Sequence, residues 1–217
     1  MHFNNFIQFL ETRLHQPLPG TVAQAKMMPE VKGLKYHPLK APPDHAKPSA
    51  ILCLLTPSIS GTIEIMLTLR SDSLTTHKGQ ISFPGGRSEK GELPHETALR
   101  ETFEEVGLSP DDISVLGSLT QLYVPPSNSL IYPIIGFSAN RPSNLTLQTN
   151  EVQEVFYTEI PFFLDHQNVK IGEWDRGGTT VLAPYWDIHP LSKLWGATAM
   201  ILSEVCALYE EYEMGRE

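Results

Sequence analysis

The chain has 217 residues, of which 41% are hydrophobic and 19% charged, so its composition is that of a packed globular protein with one main domain. Its formal net charge of -9 at pH 7 argues against a broad nucleic-acid or anionic-membrane surface, because such surfaces need clustered Lys and Arg. Binding of an anionic substrate would therefore need a local positive charge, which a bound divalent cation could supply.

The first 48 residues predict a helix followed by an irregular arm. Apolar side chains between residues 3 and 14 recur at spacings of three and four, which is typical of an amphipathic helix. Residues 17–48 contain many prolines and scattered polar residues, which disfavour helices and strands. We therefore expect an irregular segment that wraps the main domain, residues 49–217. The start of the chain lacks a signal peptide's basic and apolar regions, and no stretch reaches the roughly 18 apolar residues that cross a bilayer. We expect neither secretion nor a membrane span.

The remaining residues predict strands of a mixed sheet and a terminal helix. Residues 50–55 form a nearly unbroken apolar run and residues 62–69 alternate in polarity, which predicts two paired core strands. Residues 194–212 carry apolar side chains at helical spacing and predict a helix packed on the sheet. Further strands are expected at residues 113–124, 130–137, 152–157 and 179–186. The predicted fold class is therefore α/β, with helices covering a mixed sheet.

The two cysteines, Cys53 and Cys206, lie in an apolar strand-like run and on an apolar helix. We expect both to be buried small residues rather than members of a disulfide framework. A reducing compartment suits such thiols, and together with the missing signal peptide this predicts a cytoplasmic protein.

Three glutamates mark a helix predicted from residue 93 to residue 106. Pro94 suits the first helical turn, and Gly107 suits the left-handed position after the last. Glu101, Glu104 and Glu105 are expected on one side of this helix, and Leu99, Phe103 and Val106 on the opposite side, buried under the sheet. The glutamates repel one another, but Mg²⁺ or Mn²⁺ prefers oxygen ligands and would reverse that repulsion.

Three helical glutamates alone are more typical of a solvated acidic face, so the flanking residues decide the interpretation. Glycine, glutamate and arginine recur around the helix at fixed spacing: Gly86, Glu92, Arg100, Glu101, Glu104, Glu105 and Gly107. This pattern resembles the Nudix box, G-x5-E-x7-R-E-U-x-E-E-x-G-U. Thr102 departs from it, since U denotes a bulky aliphatic residue. We expect Thr102 near the core side, where the change affects packing and not the charged groups.

The resemblance implies a Nudix-type α/β/α sandwich and metal-dependent attack of water on a diphosphate. It implies that Glu101 and Glu105 are the principal metal ligands, with Glu104 as a further ligand. Arg100 is expected to pair with Glu92 or Glu101 and orient them. The loop glycines Gly85 and Gly86 would let the backbone approach the metal or phosphate closely, although a simple tight turn would also explain them. The general base stays open, because in this family it comes either from the helix or from a later loop. Glu151 and Glu154 are the later-loop candidates, although ordinary exposed glutamates at the start of a strand are the more common explanation of each.

A stretch before the box resembles the leader of the coenzyme A pyrophosphatase branch of the Nudix enzymes. It comprises Met66, Leu67, Thr68, Leu69, Arg70, Ser71, His77, Lys78, Gly79, Gln80, Phe83, Pro84, Gly85 and Gly86. Met66 replaces a leucine, and Thr75 stands where the leader has a second arginine. Arg70 and His77 are candidate phosphate contacts, and Lys78 and Arg87 could contribute to an anion-binding rim. The implied substrate is coenzyme A or a derivative, cleaved into phosphopantetheine and adenosine 3',5'-bisphosphate.

Two rival interpretations follow from the same motifs. A Nudix enzyme acting on ADP-ribose, a dinucleotide or a nucleoside triphosphate is the nearest, because the box sets the reaction and not the substrate. A Nudix-fold module that binds a nucleotide without hydrolysing it is the other, and the complete set of charged box residues disfavours it. The expected partner is in each case a small nucleotide-like molecule, not a nucleic acid or a membrane.

Overall fold

The computed structural model describes residues 2–31, 41–74, 78–175 and 177–216. In these residues, runs of three to five strands are separated by single helices, after two helices at the start. The helices are α1 (His2–Arg13), α2 (Gly20–Ala25), α3 (Pro94–Val106), α4 (Ile160–Leu164) and α5 (Gly196–Met214). The strands are β1 (Glu30–Val31), β2 (Lys47–Pro57), β3 (Ile63–Arg70), β4 (Ile81–Ser82), β5 (Gly85–Arg87), β6 (Ser114–Ser118), β7 (Leu122–Val124), β8 (Ser129–Phe137), β9 (Val152–Glu159), β10 (Val169–Asp175), β11 (Thr180–His189) and β12 (Ser192–Trp195).

The strands form two sheets, and the larger one is mixed. Its order is β4-β3-β2-β8-β6, with β5 on β2, β7 on β8 and β9 on β3. Strands β2 and β8 run parallel, whereas β3 pairs antiparallel with both β2 and β9. The smaller sheet is antiparallel, with the order β1-β11-β10 and β12 on β11. The predicted α/β class with a mixed sheet is confirmed.

Strand β2 is buried on both faces, as its apolar run predicts. Successive side chains of a strand point to opposite faces, so alternate residues of β2 join different hydrophobic clusters. Ala50 and Leu52 pack with Ala98 and Val106 of α3. Leu55 packs on the other face, in the cluster that contains α1 and α5 residues. The sheet is thus covered by α3 on one side and by α1 and α5 on the other.

The segment from 17 to 48 contains more regular structure than the sequence predicts, since α2 and β1 lie within it and residues 32–40 are outside the described part. A buried carboxylate holds α2 in place. Glu204 of α5 accepts hydrogen bonds from Gly20 N at 3.1 Å and from Gln24 Nε2 at 3.0 Å. The Thr120 hydroxyl donates to the same carboxylate at 2.7 Å. These tertiary contacts stabilise a short helix that local sequence would not form alone.

Other sequence predictions differ from the structure in detail. The strand predicted at 113–124 is two strands, β6 and β7, and the sequence did not predict α4, β10 or β12. Cys53 and Cys206 are buried and free, as predicted. Among the described helices, none is long and apolar enough to cross a membrane.

Candidate functional site

The glutamate helix α3 has the termini that the sequence predicts. Pro94 occupies the first turn, where its missing N–H is no loss. The Glu96 carboxylate accepts a hydrogen bond from Leu93 N at 2.8 Å, which satisfies a free donor at the helix start. At the other end Gly107 adopts φ 72°, and its N–H donates to Phe103 O at 2.9 Å. Both ends are therefore defined locally, and they fix which residues α3 presents to the sheet.

The predicted orientation of α3 is wrong for Phe103, which is 53% exposed. The buried face instead carries Ala98, Thr102, Glu105 and Val106, which recur at helical spacing and face β2 and β5. Thr102 lies at the core, as predicted, and its hydroxyl donates to Ala98 O at 2.6 Å. The small side chains of Ala98 and Thr102 let the helix lie close to the sheet, and this turns Phe103 toward solvent.

Glu105 is consequently a buried carboxylate, only 3% exposed. Its Oε2 accepts a hydrogen bond from Gly85 N at 3.1 Å, and its Oε1 lies 3.6 Å from Arg70 Nη1. Burial raises the pKa of Glu105 to about 7, and the charges of Glu101 and Glu151 act in the same direction, against the Gly85 and Arg70 contacts. The metal-free site thus contains a carboxyl that titrates near neutral pH.

Arg100 orients the other carboxylates, as predicted. Its Nε donates to Glu92 Oε1 at 2.8 Å, and its Nη1 donates to Glu101 Oε1 at 2.9 Å and to Glu104 Oε2 at 3.0 Å. The Nη2 also donates to Arg87 O at 3.0 Å. The hydrogen bond from Arg100 lowers the pKa of Glu92 to about 2, whereas burial raises the pKa of Glu101 above its usual range. One guanidinium therefore positions three glutamates and the loop before the helix.

The two loop glycines allow the close packing of β5 on the site. A methyl group at Gly86 would lie 2.3 Å from Glu101 Oε2, so any side chain there would displace that carboxylate. A methyl group at Gly85 would lie 2.3 Å from Ala50 O, and Gly85 also has φ 147°. Gly86 thus makes room for the functional carboxylate, whereas Gly85 makes room for strand β2.

The donors at this site suit a hard divalent cation. Glu101, Glu104 and Glu105 offer carboxylate oxygens from one helix, which are the ligands that Mg²⁺ and Mn²⁺ prefer. Burial raises the pKa of both Glu101 and Glu105, and a cation would favour their charged forms. In the described residues, no three acidic, His or Cys side chains are already gathered at metal-binding spacing. Arg100 Nη1 bridges Glu101 and Glu104, and Glu105 is held separately by Gly85.

The remaining leader residues lie partly at the glutamate site and partly at a cavity beside the smaller sheet. Arg70 lies beside Glu105, and its Nε is buried with no hydrogen-bond partner among the described residues. Lys78 lies away from the glutamates, at a cavity beside the smaller sheet. Arg87 contacts the site through its carbonyl oxygen. His77 and Thr75 lie outside the described residues, so their predicted roles stay predictions.

The two later-loop glutamates differ in their surroundings. Glu151 precedes β9, and its charge raises the pKa of both Glu101 and Glu105. Glu154 is half exposed, and its Oε2 lies 3.2 Å from Nε2 of the buried His189. Sequence reasoning missed both His189 and the ion pair between Arg70 and Glu105, because no local spacing relates residues on such distant segments.

Comparison with known proteins agrees with the motif. A family model described as NUDIX domain matches residues 45–171, which include the whole glutamate motif. The mitochondrial coenzyme A diphosphatase of Homo sapiens is 35% identical over 166 residues, covering 75% of this chain and 68% of that protein. Nudix hydrolase 15, mitochondrial, of Arabidopsis thaliana is 33% identical over 181 residues, covering 80% of this chain and 63% of that protein. Nudix hydrolase 3 of Caenorhabditis elegans is 29% identical over 174 residues, covering 74% and 72%.

Proposed function

This chain belongs to the Nudix hydrolase family, and from that premise we propose that it hydrolyses the diphosphate linkage of coenzyme A or a derivative. The products are phosphopantetheine, or its acyl form, and adenosine 3',5'-bisphosphate. The observation that carries this proposal is the contact between Arg70 and Glu105, which places the leader strand against the glutamate helix. The human relative named as a coenzyme A diphosphatase supports the same substrate.

We propose Mg²⁺ or Mn²⁺ as the cofactor, held by Glu101 and Glu105 with Glu104 as a further ligand. A bound divalent cation supplies neutralisation of diphosphate oxygens and a more acidic water. Arg100 orients Glu101 and Glu104 through Nη1, and the Gly85 N–H holds Glu105. The buried Nε of Arg70 offers a charged donor for a diphosphate oxygen, because no residue in the described part of the chain accepts a hydrogen bond from it.

Of the two later-loop glutamates, Glu151 has the better support as the base that takes the proton from water. Its charge acts on both Glu101 and Glu105. Glu154 is instead engaged with His189. Residues 49–217 would form the domain that carries the activity, with residues 1–48 packed on it. The ion pair between Arg13 of α1 and Glu211 of α5 supports that arrangement. The predicted cytoplasmic location stays a prediction.

A substrate panel tests the proposal directly. Purified protein is offered coenzyme A, ADP-ribose, NADH and diadenosine polyphosphates, each with Mg²⁺ or Mn²⁺, and initial rates are compared. We expect coenzyme A to have the highest kcat/KM. A higher kcat/KM for ADP-ribose or a dinucleotide would support the nearest rival enzyme, and no turnover of any substrate with nucleotide binding intact would support a binding module.

A matched pair of variants tests the site in the same assay. Glu101→Gln removes a charged ligand and should reduce kcat by more than 100-fold. Glu11→Gln changes an exposed glutamate of α1 in the same way and should leave turnover unchanged. Retention of turnover within about threefold in Glu101→Gln, which is less than about 1 kcal/mol of barrier, would remove Glu101 from the ligand set.

A further inference from the structure

A cavity of about 450 Å³ lies between the leader segment and the smaller sheet. Lys78 and Gln80 line it from the leader side, and Trp174, Lys193 and Trp195 line it from β10 and β12. Its volume is in the range of small-molecule sites. None of the glutamates of the α3 site belongs to its lining. The cavity is therefore a separate place beside the diphosphate site, with its own chemistry.

Two stacked indoles provide the apolar part of the lining. The rings of Trp174 and Trp195 lie 4.3 Å apart at 18°, and Tyr185 packs edge-on against Trp174 at 5.7 Å. Gly172 makes this packing possible, because a methyl group there would lie 2.6 Å from Cη2 of Trp174. The aromatic group is thus held in place by its neighbours. A purine base stacks well on such a surface, since both partners have flat π faces.

Two lysines bring ammonium groups to the cavity. Lys78 comes from the leader side, and Lys193 comes from β12, where its ammonium group pairs with Asp187. Asp175 is a lining carboxylate, and it already accepts a hydrogen bond from Gly178 N at 2.8 Å. Ammonium groups bind phosphate as point charges. The pantetheine arm of coenzyme A is uncharged, whereas the adenosine end carries a phosphate, so a lining of indole rings and two ammonium groups suits the adenosine end.

The cavity is connected to the glutamate site by two sets of contacts. The Arg70 N–H donates to Gln80 O at 2.9 Å, and the Gly79 N–H donates to Arg70 O at 3.2 Å, while the Arg70 side chain faces Glu105. On the other wall, Leu191 N donates to His189 Nδ1 at 3.2 Å. The other ring nitrogen, Nε2, then carries the proton and donates to Glu154 of β9 at 3.2 Å. Both walls are therefore joined to β3 and β9 of the larger sheet.

We propose that this cavity binds the adenosine 3'-phosphate end of the substrate, with the adenine against Trp174 and the 3'-phosphate beside Lys78 and Lys193. The inference deepens the proposed function and rests on it for the identity of the substrate. Arg70 would lie between the two places, with its guanidinium toward the diphosphate and its backbone paired to the cavity wall.

The first experiment measures binding of adenosine 3',5'-bisphosphate to the whole protein by calorimetry and tryptophan fluorescence. The third tryptophan, Trp186, is buried and outside the cavity lining, so quenching would report on the indole pair. We expect quenching, and a loss of affinity of at least tenfold in Trp174→Leu with the melting temperature maintained. Phosphopantetheine should neither quench nor compete at the cavity. Unchanged affinity in a folded Trp174→Leu protein, or competition by phosphopantetheine, would overturn the proposal.

The second experiment tests the lysines with a matched control. Lys193 and Lys170 both pair with Asp187, but Lys170 is not part of the cavity lining. Lys193→Met should raise KM for coenzyme A about tenfold and leave KM for 3'-dephospho-coenzyme A nearly unchanged. Lys170→Met should change neither value. Equal effects of Lys193→Met on both substrates, or no effect, would exclude a 3'-phosphate contact.

The failure of the cavity assignment and the failure of the proposed function give different results in these experiments. If coenzyme A is not hydrolysed but adenosine 3',5'-bisphosphate still quenches the indole pair, the substrate assignment fails and the nucleotide cavity stands. If coenzyme A is hydrolysed while the Trp174 and Lys193 variants keep parental binding and KM, the cavity assignment fails and the function stands. Lys78→Met provides an independent variant on the opposite wall of the cavity. It should raise KM for coenzyme A and leave KM for 3'-dephospho-coenzyme A nearly unchanged.

Discussion

Arg70 Nη1 lies 3.6 Å from Glu105 Oε1, so the last residue of β3 is ion-paired with a glutamate at the end of α3. Both side chains are largely buried, and the Arg70 Nε has no partner among the described residues. The guanidinium therefore opposes the charge of Glu105 and has one further buried donor, Nε, whose proton no described residue accepts. Changes at either residue should alter both chemistry and titration.

Arg70→Ala should lower kcat/KM for coenzyme A by about 10-fold to 100-fold, if one charge-assisted hydrogen bond to the substrate is lost. It should also raise the pKa of Glu105 in the metal-free protein above about 7, because Arg70 lowers that pKa. Steady-state kinetics and a carboxyl NMR titration measure the two effects. ADP-ribose is assayed in parallel, since a general loss of diphosphate binding would lower both substrates alike. Unchanged coenzyme A turnover would leave the leader as a structural hairpin.

Glu105→Gln should stabilise the metal-free fold at pH 8 while abolishing most turnover. The folded carboxyl has a pKa of about 7 against an ordinary value of 4.5, so the folded state binds its proton more tightly than the unfolded state. Stability from this group is present below about pH 4.5, decreases as pH rises to about 7, and is missing at pH 8. A neutral amide removes the penalty, and we expect a gain of about 1–3 kcal/mol.

Urea unfolding of the metal-free proteins at pH 5 and pH 8 measures that gain. The difference between Glu105→Gln and the parent should grow with pH. Glu104→Gln is the control on the same helix, because its side chain is 56% exposed and its replacement should change stability little at either pH. If the difference in unfolding free energy between Glu105→Gln and the parent is the same at pH 5 and pH 8, the pKa of Glu105 is not raised by burial.

Gly86→Ala should reduce kcat/KM at least tenfold with only a small change in melting temperature. The added methyl group would lie 2.3 Å from Glu101 Oε2, and the flexible carboxylate can move away at the expense of its position. Gly85→Ala is the contrasting variant, because its methyl group would meet the Ala50 carbonyl of β2, which cannot move freely. That variant should lower the melting temperature clearly. Thermal melts and steady-state kinetics measure both variants. A large fall in melting temperature for Gly86→Ala with little change for Gly85→Ala would contradict the roles given to the two glycines.

Phe103→Ala should change the free energy of unfolding by less than about 1 kcal/mol, because half of the side chain is exposed. Val106→Ala, three residues further on the buried face, should cost about 1–3 kcal/mol. Chemical denaturation of both variants compares the two faces of α3. A larger loss for Phe103→Ala would mean that α3 is rotated from the orientation described above.

The sequence alone identified the Nudix family and much of the architecture. Gly86, Arg100 and the glutamates are related by spacing within one loop and one helix, and helical geometry makes such spacing a statement about position in space. The apolar run and alternation that became β2 and β3 likewise indicated core strands before any contact was known. The helix ends at Pro94 and Gly107 follow from local backbone preferences.

Only the tertiary structure decided which side of α3 faces the sheet. Thr102 and Phe103 are neighbours about 100° apart around the helix, and hydrophobicity alone favours burial of the phenylalanine. The close approach of β2 and β5 leaves room for a threonine whose hydroxyl bonds to Ala98 O, and the larger ring is excluded. Packing at this distance depends on the partner strand, which no pattern within the helix describes.

Three other features also depended on tertiary structure. They are the pairing of Arg70 with Glu105, the contact of α2 with Glu204, and the cavity beside Trp174. Each joins residues from segments that are remote in the chain, and loop closure can bring many alternative pairs together at similar entropic cost. Local spacing therefore specifies the groups that can do chemistry. The burial and the charge partners that shift their pKa values arise only when the sheet and its helices pack.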